Sequence, residues 1–506
     1  MLSVFNQGPP PPCPSPFNMA AHVLRHADRL ADKEALRVLC PETPESWTYA
    51  KLKSAILGTG TGLLQSGLVP GDRVLIRLGN TVEFPIAYLA CIAVGLIPVP
   101  TSSQLTAAEV TEMVETLKPA AILHDPEIST ASSFDRKTLT KKNLLEFRAF
   151  PDATFDMGNP NRPAYIIYTS GTSGNPRAVV HAHRAIWARQ MMFEAWYDLH
   201  EEDRLLHAGA FNWTFTLGTG LMDPWTLGAT ALIPAPNTAP QDLPALLRDN
   251  HATLFAAAPG VYRKILSSGA DPELPNLRHC LCAGEKLSEP LRTQWNAATG
   301  TKLYEAFGMS ECSTFISGCP SHPAPQDTLG RPQTGRHIAI VGDAVPQPLD
   351  TPGTIAVHKS DPGLMLGYLD APEETAERYQ GDWFLTGDLG QMNADGHITY
   401  MGRADDMMNA GGFRVSPLEV EAALLQHPDI TGIAVTDVEV KTDTRVIAAF
   451  YTADHDLVED ELTAFAQTHL ARYKQPRLFK RLPALPTNAN GKLNRRALRE
   501  TYKAST

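Results

Sequence analysis

No basic stripe offsets the acidic excess of this chain. Its 55 Asp and Glu outweigh 44 Lys and Arg, for a formal net charge of −11, which argues against a nucleic-acid partner. Long apolar runs are scarce. The longest, Phe84 to Ile97, falls short of the roughly 20 residues that a membrane span needs and ends in Pro98-Val99-Pro100. It reads as a buried helix followed by a turn and a strand. Cysteine is sparse and odd in number, seven in 506 residues, so reduced thiols are expected rather than a disulfide framework. The Cys280-x-Cys282 pair has no second pair to complete a metal site and reads as packing. The segment Met1 to Pro16 lacks both the basic start and the apolar middle of a secretory signal. It reads as a loose proline-rich arm, and a cytoplasmic location is expected. Internal repeats and further low-complexity tracts are also missing.

What is present is an ordinary globular composition, 43% hydrophobic and 20% charged, in a chain too long for one core. Short β-rich runs alternate with helical patterns. The run Arg73 to Leu78 precedes a helix at about 82–94, and Ala120 to His124 reads as another strand. Thr230 to Ile233 and Thr253 to Ala257 are strand-like around a helical Leu243 to Arg248. This alternation predicts doubly wound parallel sheets. From about 330 to 400 the pattern changes to short strands with Gly and Pro turns, such as Ile338 to Val341 and Thr354 to Val357, which suits a small barrel or antiparallel sheet. Beyond Gly402 an α+β unit follows. Pro417 opens a helix with Ser416 at its N-cap, and Ile433 to Val435 and Val446 to Phe450 are strands.

The most informative stretch is Tyr168-Thr169-Ser170-Gly171-Thr172-Ser173-Gly174-Asn175-Pro176-Arg177, between two apolar runs that read as strands. Glycines let the backbone approach a ligand closely, the hydroxyls supply donors, and Arg177 supplies a permanent cation, a composition suited to polyphosphate. The Walker spacing G-x-x-x-x-G-K-[ST] is absent. His181 and His183 follow directly and are expected to be hydrogen-bonded strand histidines rather than ligands.

Four further segments accompany this loop: Tyr304 to Glu311 (YEAFGMSE), Thr386-Gly387-Asp388, Gly402-Arg403-Ala404-Asp405-Asp406 running to Gly412-Phe413-Arg414, and Pro486-Thr487 leading to Gly491-Lys492. In type and order the five resemble the signatures of the adenylate-forming superfamily, in its AMP-dependent acyl-CoA synthetase branch. The loop departs from the usual Lys-Gly ending, with Arg177-Ala178 in its place. The resemblance implies an α/β fold. A large N-terminal domain, residues 1–402, would hold doubly wound sheets and a small β-barrel. A hinge at 403–406 and a small mobile α+β C-terminal domain, 407–506, would follow.

The implied reaction has two steps. A carboxylate attacks the α-phosphate of ATP, giving an acyl-adenylate and pyrophosphate, and the thiol of coenzyme A then displaces AMP. Both steps gather negative charge, so positioning and cationic stabilisation should dominate. By resemblance Lys492 bridges the carboxylate and α-phosphate, and Arg177 with Thr169, Ser170, Gly171, Thr172, Ser173 and Gly174 holds phosphate. Glu311 with Thr172 holds Mg²⁺, for which one carboxylate beside phosphate oxygens suffices. Gly284-Glu285-Lys286 and Glu305-Ala306-Phe307-Gly308 enclose adenine, with Phe307 as a stacking face, and Met309 and Ser310 complete that segment. Asp388 accepts from the ribose hydroxyls, and Arg403 contacts ribose or phosphate. Asp405 is the hinge residue, and Gly411, Gly412, Phe413 and Arg414 border the coenzyme A channel.

Phe211, Asn212 and Trp213 occupy the place where the family gates its carboxylate pocket. Trp213 and Leu221 to Trp225 are similar to medium-chain acyl-CoA synthetases, whereas Pro16 to Ala21 and His181-Ala182-His183 are similar to benzoate-CoA ligases. A medium-chain or aromatic acid is therefore expected. The alternative is a free-standing adenylation enzyme that loads a carrier protein. Amino-acid-activating relatives place an aspartate at position 212 to pair the substrate ammonium, and the neutral Asn212 here disfavours one. A non-catalytic binding protein is disfavoured by Lys492, Glu311, Asp388 and Arg403.

Overall fold

The strongest alternation of apolar runs and helical patterns gives the central sheet of the structure, a computed structural model. It describes residues 1–39, 45–169, 177–236, 238–269, 273–343, 345–404, 406–410, 413–441, 444–487 and 493–503. The site expectations at Ser170 to Gly174, Asp405, Gly411, Gly412 and Lys492 lie outside the described residues. The chain divides into two compact units, one of Phe5–His337 and His358–Phe384, the other of Met1–Val4, Ile338–Val357 and Leu385–Thr506.

In the larger unit nine strands form one mixed sheet. Its six central strands run parallel in the order Leu303–Met309, His279–Ala283, Leu254–Ala257, Arg204–His207, Thr230–Pro234 and Glu34–Leu39. Three of them, 230–234, 254–257 and 279–283, are buried at every position, as expected where helices cover both faces of a parallel sheet. Cys280 and Cys282 belong to that core. A second parallel sheet has the order Ile97–Pro100, Arg73–Arg77, Ala121–His124, Lys137–Thr140. The apolar run that is too short for a membrane span is the helix Glu83–Ala93, buried along its whole length. Gly95 then turns at φ +80° into the 97–100 strand. No helix among the described residues is long and apolar enough to cross a membrane. A third, antiparallel sheet joins Gly367–Tyr368, Arg177–Ala182 and Pro163–Thr169. Thr169 pairs with Arg177 in register, so this hairpin fastens the two ends of the 170–176 segment together.

In the smaller unit, antiparallel pairs Ile338–Val357 and Asp388–Arg403 belong to the sheet expected between about 330 and 400. The α+β portion pairs Gly432–Lys441 antiparallel with Thr444–Thr452, which runs parallel to Leu478–Arg481. The helices Pro417–Leu424 and Glu459–His469 share a core with these strands through Val420, Leu424, Val435, Ile447 and Ala466.

Two local expectations are corrected. The N-terminal arm is not loose throughout. Ser3 donates its amide to the Gln347 carbonyl at 2.7 Å and accepts from the Ile340 amide at 3.0 Å, so the sheet takes up residues that composition alone leaves unpaired. Ser416 does occupy the N-cap of Pro417–Leu424, but its hydroxyl donates to the Met401 carbonyl at 2.5 Å instead of capping the helix.

Candidate active site

The carboxyl ends of the parallel strands carry most of the expected site residues of the larger unit, where open α/β sheets bind their ligands. The strand 303–309 is buried from Leu303 to Ala306 and opens at Phe307, Gly308 and Met309, where a bulge between Phe307 and Gly308 shifts its register with the neighbouring strand. Phe307 meets Phe315 edge to face at 5.4 Å. From the strand 279–283 the chain passes to Gly284 at φ +95°, a backbone conformation that favours glycine. A Cβ there would stand 2.5 Å from the Trp213 indole. The absent side chain is thus the space that Trp213 occupies, and two segments 71 positions apart in sequence share one edge. Trp213 is half-buried, in edge contact with Phe215 at 5.2 Å. Phe211 is fully buried against Phe84, and Asn212 is half-buried between them.

Glu305 faces inward. Its carboxylate accepts from the Leu287 amide at 2.8 Å and lies 3.7 Å from Arg292, which ties the strand to the chain just beyond Gly284-Glu285-Lys286. Burial pushes its acid up to about 7. A raised carboxyl pKa gives stability that is complete below the unfolded-state value near 4.5 and is lost as pH rises through the folded one. Glu305→Gln keeps an acceptor and removes the charge. It is expected to flatten the decline in urea midpoint between pH 5 and 8, and an unchanged slope would contradict the assignment.

Arg177 and Glu311 meet through a residue that the sequence did not single out. The Arg177 guanidinium lies over the Tyr368 ring at 4.9 Å, with its Nε 3.0 Å from Glu374. Tyr368 in turn donates its hydroxyl to Glu311 Oε1 at 2.7 Å, and burial, ahead of the Glu311 charge, pushes the phenol up to about 12. The cation at the end of the glycine- and hydroxyl-rich segment and the carboxylate of the YEAFGMSE segment thus flank one tyrosine. The strand pairing of Tyr368 with Val179 holds this arrangement.

In the smaller unit Asp388 and Arg403 also come together. They are directly paired across antiparallel strands, with Arg403 Nη1 3.4 Å from Asp388 Oδ2, while Tyr400 donates its hydroxyl to Oδ1 at 2.9 Å. The short turn leading into Asp388 is closed by Thr386, whose hydroxyl accepts the Asp388 amide at 3.0 Å. The backbones of Phe413 and Arg414 pair with Ala410 and Asn409 across residues 411–412.

His181 and His183 behave as buried structural groups. His181 donates Nε2–H to the Ser310 carbonyl at 2.7 Å and stacks on Tyr165 at 4.8 Å. His183 accepts the Met19 amide on Nδ1 at 3.0 Å. Burial lowers their pKa values to about 4 and about 3, so both rings are neutral at physiological pH.

Residues 23–369 match the family model described as AMP-binding enzyme, and residues 419–492 match that of the AMP-binding enzyme C-terminal domain. The chain belongs to the AMP-binding enzyme family. Within it the chain falls in the acyl-CoA synthetase branch of the adenylate-forming superfamily. This AMP-binding enzyme is 28% identical over 485 residues to a 3-hydroxybenzoate–CoA ligase of Aromatoleum sp., covering 91% of this chain and 92% of the relative. A human mitochondrial acyl-coenzyme A synthetase is 28% identical over 529 residues, covering 96% and 91%. Among solved structures, a benzoate CoA ligase from Burkholderia xenovorans superposes with a TM-score of 0.86 at 25% identity, covering 96% of this chain and all of that one. An anthranilate CoA ligase in complex with anthranoyl-AMP shares the fold with a TM-score of 0.88 at 24% identity, covering 98% and 99%. Against the AMP-binding enzyme pattern, the residues missed from sequence are Tyr368 and Tyr400. Each is a single tyrosine in a short strand, Tyr368 outside the five segments and Tyr400 two residues before the one that begins at Gly402.

Proposed function

We propose that this AMP-binding enzyme is an ATP-dependent carboxylic acid–CoA ligase acting on a medium-chain or aromatic acid. The observation that carries the proposal is the Arg177–Tyr368–Glu311 arrangement, which sets a fixed cation and a carboxylate beside the ends of the 170–176 segment. In the first step an acid oxygen attacks the α-phosphorus and the bond to pyrophosphate breaks. In the second the thiol sulfur of coenzyme A attacks the acyl carbon and the bond to AMP breaks, with the thiol proton released.

Arg177, with Thr169 and Ser170 to Gly174, would hold the phosphates, and Phe307, with Gly284 to Lys286, would border adenine. Glu311 suits Mg²⁺: one carboxylate oxygen is taken by Tyr368, and the other has no hydrogen bond among the described residues. Mg²⁺ favours one or two carboxylates beside phosphate oxygens, and Thr172 would be the second protein group. Bound there, the ion would neutralise phosphate charge. Phe211, Asn212 and Trp213 would border the acid, and Gly411 to Arg414 the thiol channel. A boundary at 402, with 403–406 as hinge and Asp405 as its pivot, belongs to the same proposal. The test is a panel of carboxylic acids with ATP and CoA, scored for thioester, AMP and pyrophosphate. ATP cleavage without any acid, or no thioester from any acid, would overturn the reading.

Asp388 would accept from the ribose hydroxyls. Tyr400 and Arg403 each engage one of its oxygens, and a carboxylate is a good acceptor for hydroxyl groups. Asp388→Ala is expected to weaken ATP binding by roughly 1.5–3 kcal/mol, the range for hydrogen bonds to a charged group, as read by calorimetry. Tyr400→Phe, which keeps the carboxylate, should lose much less. Unchanged ATP affinity in Asp388→Ala would exclude the ribose role.

A further inference from the structure

A short stretch of the larger unit, residues 365–369, reaches both charged groups of the Arg177–Glu311 arrangement. The Met365 amide donates to the Glu311 carbonyl at 2.8 Å, and the Tyr368 hydroxyl donates to Glu311 Oε1 at 2.7 Å. Glu311 is thus held at its backbone and at its side chain by residues three positions apart. The stretch is itself tied to the strand that Arg177 opens. The Leu366 amide donates to the Val180 carbonyl at 2.7 Å, and the Leu369 amide donates to the Ala178 carbonyl at 2.8 Å. The Tyr368 amide donates to Thr375 Oγ1 at 2.9 Å. With 6% of its surface exposed, the tyrosine is fixed on backbone and ring alike.

The ring and the hydroxyl of Tyr368 have different partners. The Arg177 guanidinium sits over the ring at 4.9 Å, a favourable seat for a cation. The hydroxyl goes to the carboxylate, and burial pushes its pKa up to about 12, so it remains a donor at neutral pH. A glutamate side chain has considerable rotamer freedom to lose when it binds a metal. A donor fixed on Oε1 removes part of that freedom in advance. It leaves Oε2, which has no hydrogen bond among the described residues, as the oxygen for a cation.

We propose that Tyr368 is a positioning residue with two separable functions, its hydroxyl setting the divalent-cation affinity of Glu311 and its ring seating Arg177 for phosphate. The proposal rests on the assignment of Mg²⁺ to Glu311 under the ligase reading. Losing the hydroxyl has two opposed effects: the carboxylate becomes a slightly stronger base, and it becomes free to turn. Mg²⁺ demands near-ideal octahedral geometry, so the loss of orientation outweighs the gain in basicity.

The test reads metal binding apart from turnover, with Mn²⁺ as a paramagnetic probe titrated into the enzyme with ATP and no acid. Tyr368→Phe keeps the ring and removes the hydroxyl. It is expected to weaken Mn²⁺ binding about tenfold. The Mg²⁺ concentration for half-maximal adenylate formation should rise by a similar factor, with excess Mg²⁺ restoring the rate. Calorimetric ATP binding in the presence of EDTA should hardly change in Tyr368→Phe. It should fall about threefold in Tyr368→Leu, which also loses the ring beneath Arg177. In Glu311→Gln, adding Tyr368→Phe should cost no further Mn²⁺ affinity, because the hydroxyl acts only through that carboxylate.

Unchanged Mn²⁺ affinity in Tyr368→Phe, or losses that simply add in the double variant, would overturn the positioning role. Equal loss of metal-free ATP binding in the Phe and Leu variants would overturn the separation of ring from hydroxyl. Mn²⁺ binding that survives Glu311→Gln would remove the metal assignment and this proposal with it. If no acid is turned over but Mn²⁺ binding depends on Tyr368 through Glu311, the ligase reading falls and the positioning role stands.

Discussion

Lys492→Ala is expected to slow acyl-adenylate formation by about 10²- to 10³-fold, the usual effect of losing one donor that stabilises transition-state charge. Thioester formation from pre-made acyl-adenylate should be nearly unaffected. As the carboxylate and α-phosphate approach, two anionic groups share one site, and a lysine ammonium is a compact charge that can face both. The ends of the segment that carries Lys492 are firmly set. Thr487 and Leu493 form an antiparallel bridge, and the Asn494 amide donates to the Pro486 carbonyl at 2.8 Å. Leu493 and Leu485 pack on the core formed by Phe450, Val438 and the fully buried Leu498. Separate single-turnover assays of pyrophosphate release and of thioester formation check the prediction. Equal loss in both half-reactions would remove Lys492 from its role.

Sequence reading succeeded where a short window holds the cause. Strands 230–234 and 254–257 are mostly apolar because both faces are covered, and that signature is local. Asp388 and Arg403 stand in recognisable motifs, and the structure brings them together by strand pairing. Reading failed where the cause lies elsewhere in the chain. Tyr368 bridges Arg177 and Glu311 from positions far away in sequence. Tyr400 is noticed only once Asp388 is seen across the sheet. Ser416 occupies the N-cap, but that its hydroxyl donates to the Met401 carbonyl is not visible from the sequence.

The least legible feature is the ion pair of Arg189 with Asp223, and Asp223→Ala is expected to destabilise the protein by about 3–5 kcal/mol. Arg189 Nε donates to Asp223 Oδ1 at 2.8 Å and Nη2 to Oδ2 at 2.6 Å, with both side chains almost completely buried. Tyr197 donates to the same carboxylate at 2.8 Å, and Nη2 also reaches Tyr197 and Thr219. The Asp223 charge holds the guanidinium above its ordinary pKa despite the cost of burial. The backbone is shaped around this network. Tyr197 and Thr219 lie on two wide-turn helical segments, Phe193–Tyr197 and Thr216–Met222, of a kind often found where function demands an irregular turn. Gly218 leaves the space in which the guanidinium sits, since a Cβ there would stand 2.2 Å from Nη2. Removing the carboxylate alone leaves a buried cation with only hydroxyl partners. Removing both charges need not cost as much, because a hydrophobic pair of similar volume can replace a buried ion pair with little loss. Urea midpoints of Asp223→Ala and of the double variant Arg189→Met with Asp223→Leu decide the matter. A large loss in the single variant and a recovered midpoint in the double one would show that compensation of the Arg189 charge is what the fold requires. An unchanged midpoint in Asp223→Ala would mean that Ser313, Tyr197 and Thr219 satisfy Arg189 without it.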